Sequence, residues 1–472
     1  MKKSTLLGVI PLVLALAACG TTAPTNPTSP TTAGTPVTTP ATTAPTGNPG
    51  AALMGKTVTY DPSQPVNGGQ PITIEMWYWT GAYDLFQNFA DTYSAVHPNV
   101  TIKLVENPWA DYWTKLPLAL QGTDGPAIFN VHNSQHDNLI GYMAPYDIPV
   151  QDIEADFTGA AGHVIDGKIY YTDYGLMTVT MFYNTDMWKA AGLTDKDIPK
   201  TWDQFREIAK KLTIRDAAGN LVQAGFGYNG GRARGDVLGM QYQYGQNLFT
   251  ADNQVTLNND AWKQTIQRML DLYNVDKVGD ASFGDNSGDN FGQGKVAMYL
   301  GWGFMTNQYT NDSPGLHWGV FEVPTPTDAT PYAYHRYNGE STFGINKNAP
   351  ADQQAVAQDM VRFFLANDAI QKKFCVANSV FPMKVTLKDD PDLLAIPTLA
   401  ALAPHLDRYI WPGPMPATVE TNVTIALQDI FYNGVDMTTA LTSAEKAINA
   451  DLKDSGFVSQ EPMYKYAGEA LR

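Results

Sequence analysis

Apolar and polar residues alternate from Ile72 through Ile74 to Met76, with Thr73 and Glu75 between them, and this period of two predicts a strand. The aromatic triplet Trp77-Tyr78-Trp79 follows directly. Leu85, Phe86, Phe89, Ala90 and Tyr93 then recur at helical spacing, and His97-Pro98-Asn99 ends that helix. Val100, Ile102 and Leu104 alternate again. Strand, helix and strand in this order form the building unit of a parallel sheet covered by helices. A short buried strand is predicted over 127–131. Thr201-Trp202-Asp203-Gln204 has the form of a capping box, and it opens a helix whose inner face is Phe205, Ile208, Ala209 and Leu212. Further helices are predicted over 260–273, 351–365, 423–431 and 438–452. No repeat of solenoid or propeller period is present. The fold class is therefore α/β.

The first fifty residues follow a different pattern. Lys2 and Lys3 precede the apolar run 6–16, which ends in Leu16-Ala17-Ala18-Cys19-Gly20. A positive start, an apolar stretch too short to span a bilayer and small residues before a cut define a secretory signal. Cysteine after the cut resembles a bacterial lipobox, which implies that Cys19 is lipidated and becomes the mature N-terminus. Residues 21–50 are almost entirely Thr, Pro and Ala, without charge or aromatic rings, and cannot bury enough apolar surface to offset chain entropy. They read as a flexible tether.

The remaining body of about 415 residues exceeds the size at which single cores stop growing, so two lobes are expected. A net charge of −16 and a pI near 4.8 argue against nucleic acid and against an acidic lipid surface, and fit neutral or cationic ligands. With Cys19 lipidated, Cys375 is the one cysteine left with a free thiol, between Phe374 and Val376. It reads as a buried inert thiol, and the core alone must hold the fold. His132 and His136 lie four apart beside Asp137, but no Cys/His cluster accompanies them, so no metal and no cofactor is expected. Residues 280–290 are rich in Asp and Asn without the order of a calcium loop, and read as a solvated loop.

Several stretches, taken in order, resemble one family. The strand and helix opening at Ile72, His97-Pro98-Asn99-Val100 and Gly167-Lys168-Ile169-Tyr170-Tyr171 are three of them. Phe182-Tyr183-Asn184-Thr185-Asp186-Met187-Trp188-Lys189-Ala190-Ala191-Gly192-Leu193, leading into Ile198-Pro199-Lys200-Thr201-Trp202, is the strongest. Residues 291–302 and 339–364 complete the set. Together they are similar to the extracellular solute-binding proteins of ABC importers, in the carbohydrate-binding branch related to maltose-binding protein. The resemblance implies a two-lobed periplasmic-binding-protein fold of type II with a ligand cleft between the lobes. It implies lobe 1 over 71–184 and 342–400, lobe 2 over 185–338 and 405–472, a signal over 1–19 and a tether over 20–56. Crossings between lobes are expected near 183–187 and 339–343, and the C-terminal helices are expected on the second lobe. The partners implied are a carbohydrate ligand, the permease subunits of an ABC transporter and, through the lipid on Cys19, the extracytoplasmic side of a membrane. The chain is expected to be a monomer.

A sugar has apolar C–H faces ringed by hydroxyls, so a site for it needs flat aromatic platforms and side chains that donate and accept hydrogen bonds. Trp77 and Trp79 lie at the carboxyl end of a strand, where open α/β sheets bind ligands, and one member of that triplet must point into the core. Trp109 and Tyr112 form the next group. Trp302, between Gly301 and Gly303, is the platform implied in the second lobe, its glycines permitting close approach. Trp411, in a Pro/Gly turn, is a further candidate. The polar candidates are Asn130, His132, Asn133, Asp173, Arg232, Asn338 and Glu340. Asp173 and Glu340 are also the residue types of a glycoside hydrolase, but the sequence places them at neither separation that such an enzyme requires. No nucleophile elbow, Walker loop or dinucleotide fingerprint is present. The expectation is a receptor, not an enzyme, with a non-sugar solute as the alternative ligand.

Overall fold

The computed structural model describes residues 52–471, except 83, 229–236, 284–285 and 454. Cys19 and Arg232 lie outside the described residues. In chain order the first elements are β1 (Ile72–Trp79), α1 (Leu85–Val96), β2 (Val100–Asn107), α2 (Trp109–Ala119), β3 (Ile128–Asn130) and β4 (Met143–Ala144). Next come β5 (Asp173–Met177), β6 (Val179–Asn184), α3 (Trp202–Leu212), β7 (Met298–Trp302) and β8 (Trp318–Phe321). The chain returns through β9 (Asn338–Ser341), β10 (Phe343–Asn346), α4 (Ala351–Ala366) and β11 (Phe381–Pro382). It ends with the helices α5 (Ala417–Phe431) and α6 (Met437–Leu452).

Three sheets organise these elements. In lobe 1 the strand order is β2-β1-β3-β10-β4, with β1 parallel to both neighbours and in register with β2 from Ile72↔Val100 to Trp79↔Asn107. In lobe 2, β6 lies antiparallel between β7 and β8. Between the lobes, β5 lies antiparallel between β9 and β11. Each lobe has its own core. Ile74, Met76, Phe89, Phe343 and Phe364 belong to the first, and Trp188, Trp202, Phe205, Trp262 and Leu427 to the second. The helices α5 and α6 bury Val419, Val423, Leu441 and Ile448 in the second core.

Local chemistry fixes the helices where the sequence predicts them. The Gln204 amide donates to Thr201 Oγ1 and Gln204 Oε1 accepts from the Thr201 amide, both at 3.3 Å, closing the capping box that opens α3. Such a cap is worth about 1 kcal/mol. Cys375 is fully buried, and burial raises its thiol pKa well above the usual range, which fits an inert thiol.

Two boundaries differ from the sequence reading. The run 173–184 contains no turn residue pair or proline that marks a break, yet its two halves pair differently. Residues 173–177 join the middle sheet and Val179–Asn184 is already the central strand of lobe 2, so the first crossing falls at Thr178 and not near 183–187. Thr178 Oγ1 donates to the Arg336 carbonyl at 2.7 Å, tying the outgoing strand to the returning one. The second crossing runs through Thr342, whose Oγ1 accepts from the Thr172 amide at 3.0 Å. At the start of the body, Met54 and Tyr60 exchange backbone hydrogen bonds of 2.8 and 2.9 Å, so pairing begins inside the stretch read as tether. The Val58 amide donates to Asp156 at 2.8 Å and the Tyr60 hydroxyl to Asp359 at 2.8 Å, and both residues lie in the core of lobe 1.

Candidate functional site

The alternation of β1 sends Ile74, Met76 and Tyr78 into the core, where Tyr78 stacks on Phe86 with ring centroids 4.5 Å apart. Trp77 and Trp79 therefore share the opposite face, beneath α2. Their surroundings differ. Trp77 donates its indole N–H to Glu75 at 2.6 Å, and Glu75 pairs with Lys103 at 2.7 Å, so Trp77 is held in a small network on the strand. Trp79, at the end of the strand, meets Trp109 edge-on at 5.2 Å and Trp113 at 5.3 Å. His132 stands at right angles to Trp109, 5.1 Å away. Trp109 is 44% exposed and forms the outer edge of this wall. Trp113 was not among the candidates; Trp109 and Trp113 are four apart at the start of a helix, the spacing that puts two rings side by side. Tyr112 is buried and donates its hydroxyl to the Asn130 carbonyl at 2.8 Å, which makes it a prop for the wall.

The polar candidates separate into anchors and site residues. Asn130 is buried, with its amide nitrogen 3.5 Å from the Ser341 and Thr342 carbonyls, and so holds the second crossing to β3. Asp173 is 1% exposed, accepts from Ser341 Oγ at 2.8 Å and lies 3.3 Å from His163 Nε2. A Cβ on Gly339 would stand 1.8 Å from its carboxylate, so Asp173 is sealed under the hinge strand. Both residues are thus tied to the returning strand in this structure. Asn133 is likewise buried.

His132 and Asn338 do come together. The Ser134 amide and hydroxyl lie 3.2 and 2.7 Å from His132 Nδ1, leaving Nε2 3.2 Å from the Asn338 side-chain nitrogen. Glu340, two residues along the same strand face, is hydrogen-bonded to Asn338. Burial and the neighbouring Asp173 carboxylate push its pKa up to about 8, against the opposing effect of that hydrogen bond. The site thus favours the protonated form of Glu340, which can donate as well as accept.

Trp302 ends β7 half-buried, packed against the cores of both lobes, with the Arg336 guanidinium 5.4 Å over its ring. Its flanking glycines have a different cause from the expected one. A Cβ on Gly301 would meet the Tyr299 ring and hydroxyl, the oxygen at 2.5 Å, and one on Gly303 would meet the Ser379 carbonyl at 2.6 Å. They permit packing within the protein. The Trp411 indole lies against Gly162, where a Cβ would be 2.8 Å from two ring atoms, and 5.6 Å from the His163 ring. It seals the two lobes against each other.

A cavity of about 310 Å³ opens beside His132, lined by Ser134 and Gln135 from one lobe and by Ala417, Glu420, Thr421, Thr424 and Ile425 of α5 from the other. The sequence reading missed its second wall, because it began this helix at Val423, where the apolar spacing begins. Pro416 followed by an acidic residue in the first turn was the signal available. Next to the cavity the Asp137 carboxylate accepts from the Ala417 N–H. Among the described residues no group of three metal-ligating side chains occurs, and His136 Nδ1 is engaged by the Tyr171 hydroxyl at 2.8 Å.

Two lobes, each with its own core, are joined by chain crossings at Thr178 and Thr342, and an aromatic cluster stands at the strand ends of the first lobe. Residues 78–371 match the family model of the bacterial extracellular solute-binding proteins, and the chain belongs to that family. A putative binding protein of Brucella abortus (strain 2308) is 27% identical over 266 residues, a match covering 53% of this chain and 62% of the relative's length. The arabinooligosaccharide-binding protein of Bacillus subtilis (strain 168) is 26% identical over 64% of this chain and 70% of its own. Among solved structures, the maltose/maltodextrin-binding domain from Bdellovibrio bacteriovorus bound to maltotriose superposes with a TM-score of 0.70 at 18% identity, over 81% of this chain and all of that one. These likenesses establish the α/β two-lobed fold.

Proposed function

We propose that this protein is the receptor of an ABC importer for a sugar or oligosaccharide, held to the membrane through a lipid on Cys19. One observation carries the reading. A wall of three tryptophans and a histidine stands at the carboxyl ends of the lobe 1 strands, and its His132 is bonded to Ser134, which lines a cavity together with Gln135, Glu420, Thr421 and Thr424. Flat rings suit the apolar faces of sugar rings, and the polar atoms suit their hydroxyls. The relatives add support: a protein of Bacillus subtilis bears the name arabinooligosaccharide-binding, and one of Rhizobium radiobacter the name lactose-binding. Ligand contacts to both lobes favour the closed pair, and the permease and its ATPase supply the transport step. The sealed position of Asp173 speaks against paired carboxylates acting on a glycosidic bond.

A thermal-shift screen tests the reading. Lactose, maltotriose and arabinooligosaccharides should raise the melting temperature selectively, with amino acids and polyamines as controls. A response to an amino acid or polyamine alone would reassign the ligand to the non-sugar class, and release of reducing sugar would make the protein an enzyme. For the anchor, Cys19→Ala should release the protein from membranes; wild-type protein recovered as soluble material without N-terminal lipid would refute it.

A further inference from the structure

The middle of the site contains a cation that neither the motifs nor the proposed function use. Arg336 is 2% exposed, in a two-residue strand (His335–Arg336) that pairs with Tyr409–Ile410. Its Nε donates to the Leu238 carbonyl at 3.0 Å, which fixes the plane of the guanidinium. The guanidinium carbon lies over the Trp302 indole, 5.4 Å from the ring centroid. The two terminal nitrogens point apart, one 3.5 Å from Glu420 on α5 and the other 3.5 Å from the Asn338 side-chain oxygen. Asn338 in turn reaches His132 of lobe 1.

A buried cation is costly unless it is paired and hydrogen-bonded. Here the groups that compensate it are a ring at the seam of the two cores, an acid lining the cavity and an amide on the returning strand. A guanidinium spreads its donors over three nitrogens in one rigid plane, whereas the three donors of an ammonium radiate from a single rotating nitrogen. We propose that Arg336 is a positioning residue for the ligand site: it sets Trp302, Glu420 and Asn338 in one fixed arrangement and thereby links the two walls of the cleft. This rests on the proposed function for what binds there, but the positioning itself can be measured without ligand.

The test uses the full-length chain grown with 5-fluorotryptophan, the Trp302 fluorine resonance being assigned by its loss in Trp302→Phe. Arg336→Lys keeps the charge and removes the fork. The Trp302 resonance should move while those of Trp188 and Trp262, buried in the second core, stay in place. Affinity for whichever of lactose, maltotriose or arabinooligosaccharide the wild type binds should fall about tenfold or more, which is 1.4 kcal/mol per decade. Glu420→Gln, which removes one partner and keeps the helix, should move the same resonance and decides the matter if Arg336→Lys does not fold. A lowered melting temperature with an unmoved Trp302 resonance would overturn the proposal, because Arg336 would then serve folding alone. A moved resonance with affinity within twofold of wild type would overturn the link to binding. A wild type that binds none of the three sugars would count against the proposed function, while the resonance would still decide the positioning.

Discussion

At the scale of single residues, exposure separates what a tryptophan does for the fold from what it does for a ligand. Trp109 is nearly half exposed on the outer edge of the wall, so truncating it removes little of the core. Trp109→Ala should change the melting temperature by at most a degree or two. On the proposed reading it should weaken sugar binding by about 1.5–3 kcal/mol, the contribution of one large apolar side chain. Calorimetry and thermal melts on one preparation check both; a large drop in stability with intact affinity would remove Trp109 from the site. Trp302 does not allow this separation, since it packs against both cores. Glu340 makes a prediction in pH. Its pKa moves from an ordinary 4.5 to about 8 on folding, so the folded state holds the extra proton. The stability this contributes is full below about pH 4.5 and is lost as pH rises through about 8. Glu340→Gln should flatten that part of the stability profile in denaturant titrations at pH 5, 6.5 and 8. An equally steep decline in the variant would assign the dependence elsewhere.

At the scale of elements, the sequence was informative wherever one face of a strand or helix repeats locally. The strand from Ile72, the capping box at Thr201 and the helices near 260 and 351 are all readable from spacing alone. Pairing is not local, and there the reading stopped. Nothing in the run 173–184 marks Thr178 as the point where the chain changes sheets, because the break is made by partners more than a hundred residues away. Gly303 and Asp173 show the same limit: their neighbours, Ser379 and Gly339, are supplied by tertiary contacts, whereas Gly301 meets Tyr299 of its own strand. The hinge strand offers a direct measurement. Gly339→Ala brings a Cβ onto the Asp173 carboxylate and should cost about 1–3 kcal/mol by overpacking. Adding Asp173→Ala should recover part of that loss if the clash is its cause, and strictly additive effects would exclude it.

At the scale of the whole molecule, closure depends on the balance between contacts that exist without ligand and those a ligand adds. Trp411 against Gly162, and Asp137 at the first turn of α5, already join the lobes. Saturating sugar should shift the population toward this geometry and lower the radius of gyration measured by X-ray scattering. Gly162→Leu, which displaces the Trp411 indole, should raise the radius of the ligand-free protein. Superimposable profiles for wild type and variant, with and without sugar, would sink the hinge mechanism.

The first folded residues have a mechanical consequence. The chain enters the body at 54–60, where backbone bonds between Met54 and Tyr60, the Asp156 carboxylate on Val58 and the Asp359 carboxylate on Tyr60 fasten it, among the described residues, to lobe 1. Tension arriving along the backbone from upstream is therefore delivered to lobe 1 and leaves lobe 2 unloaded. On the proposed reading, with that end held to a membrane, the second half would be the one left to open and shut, like a jaw hinged to a moored base.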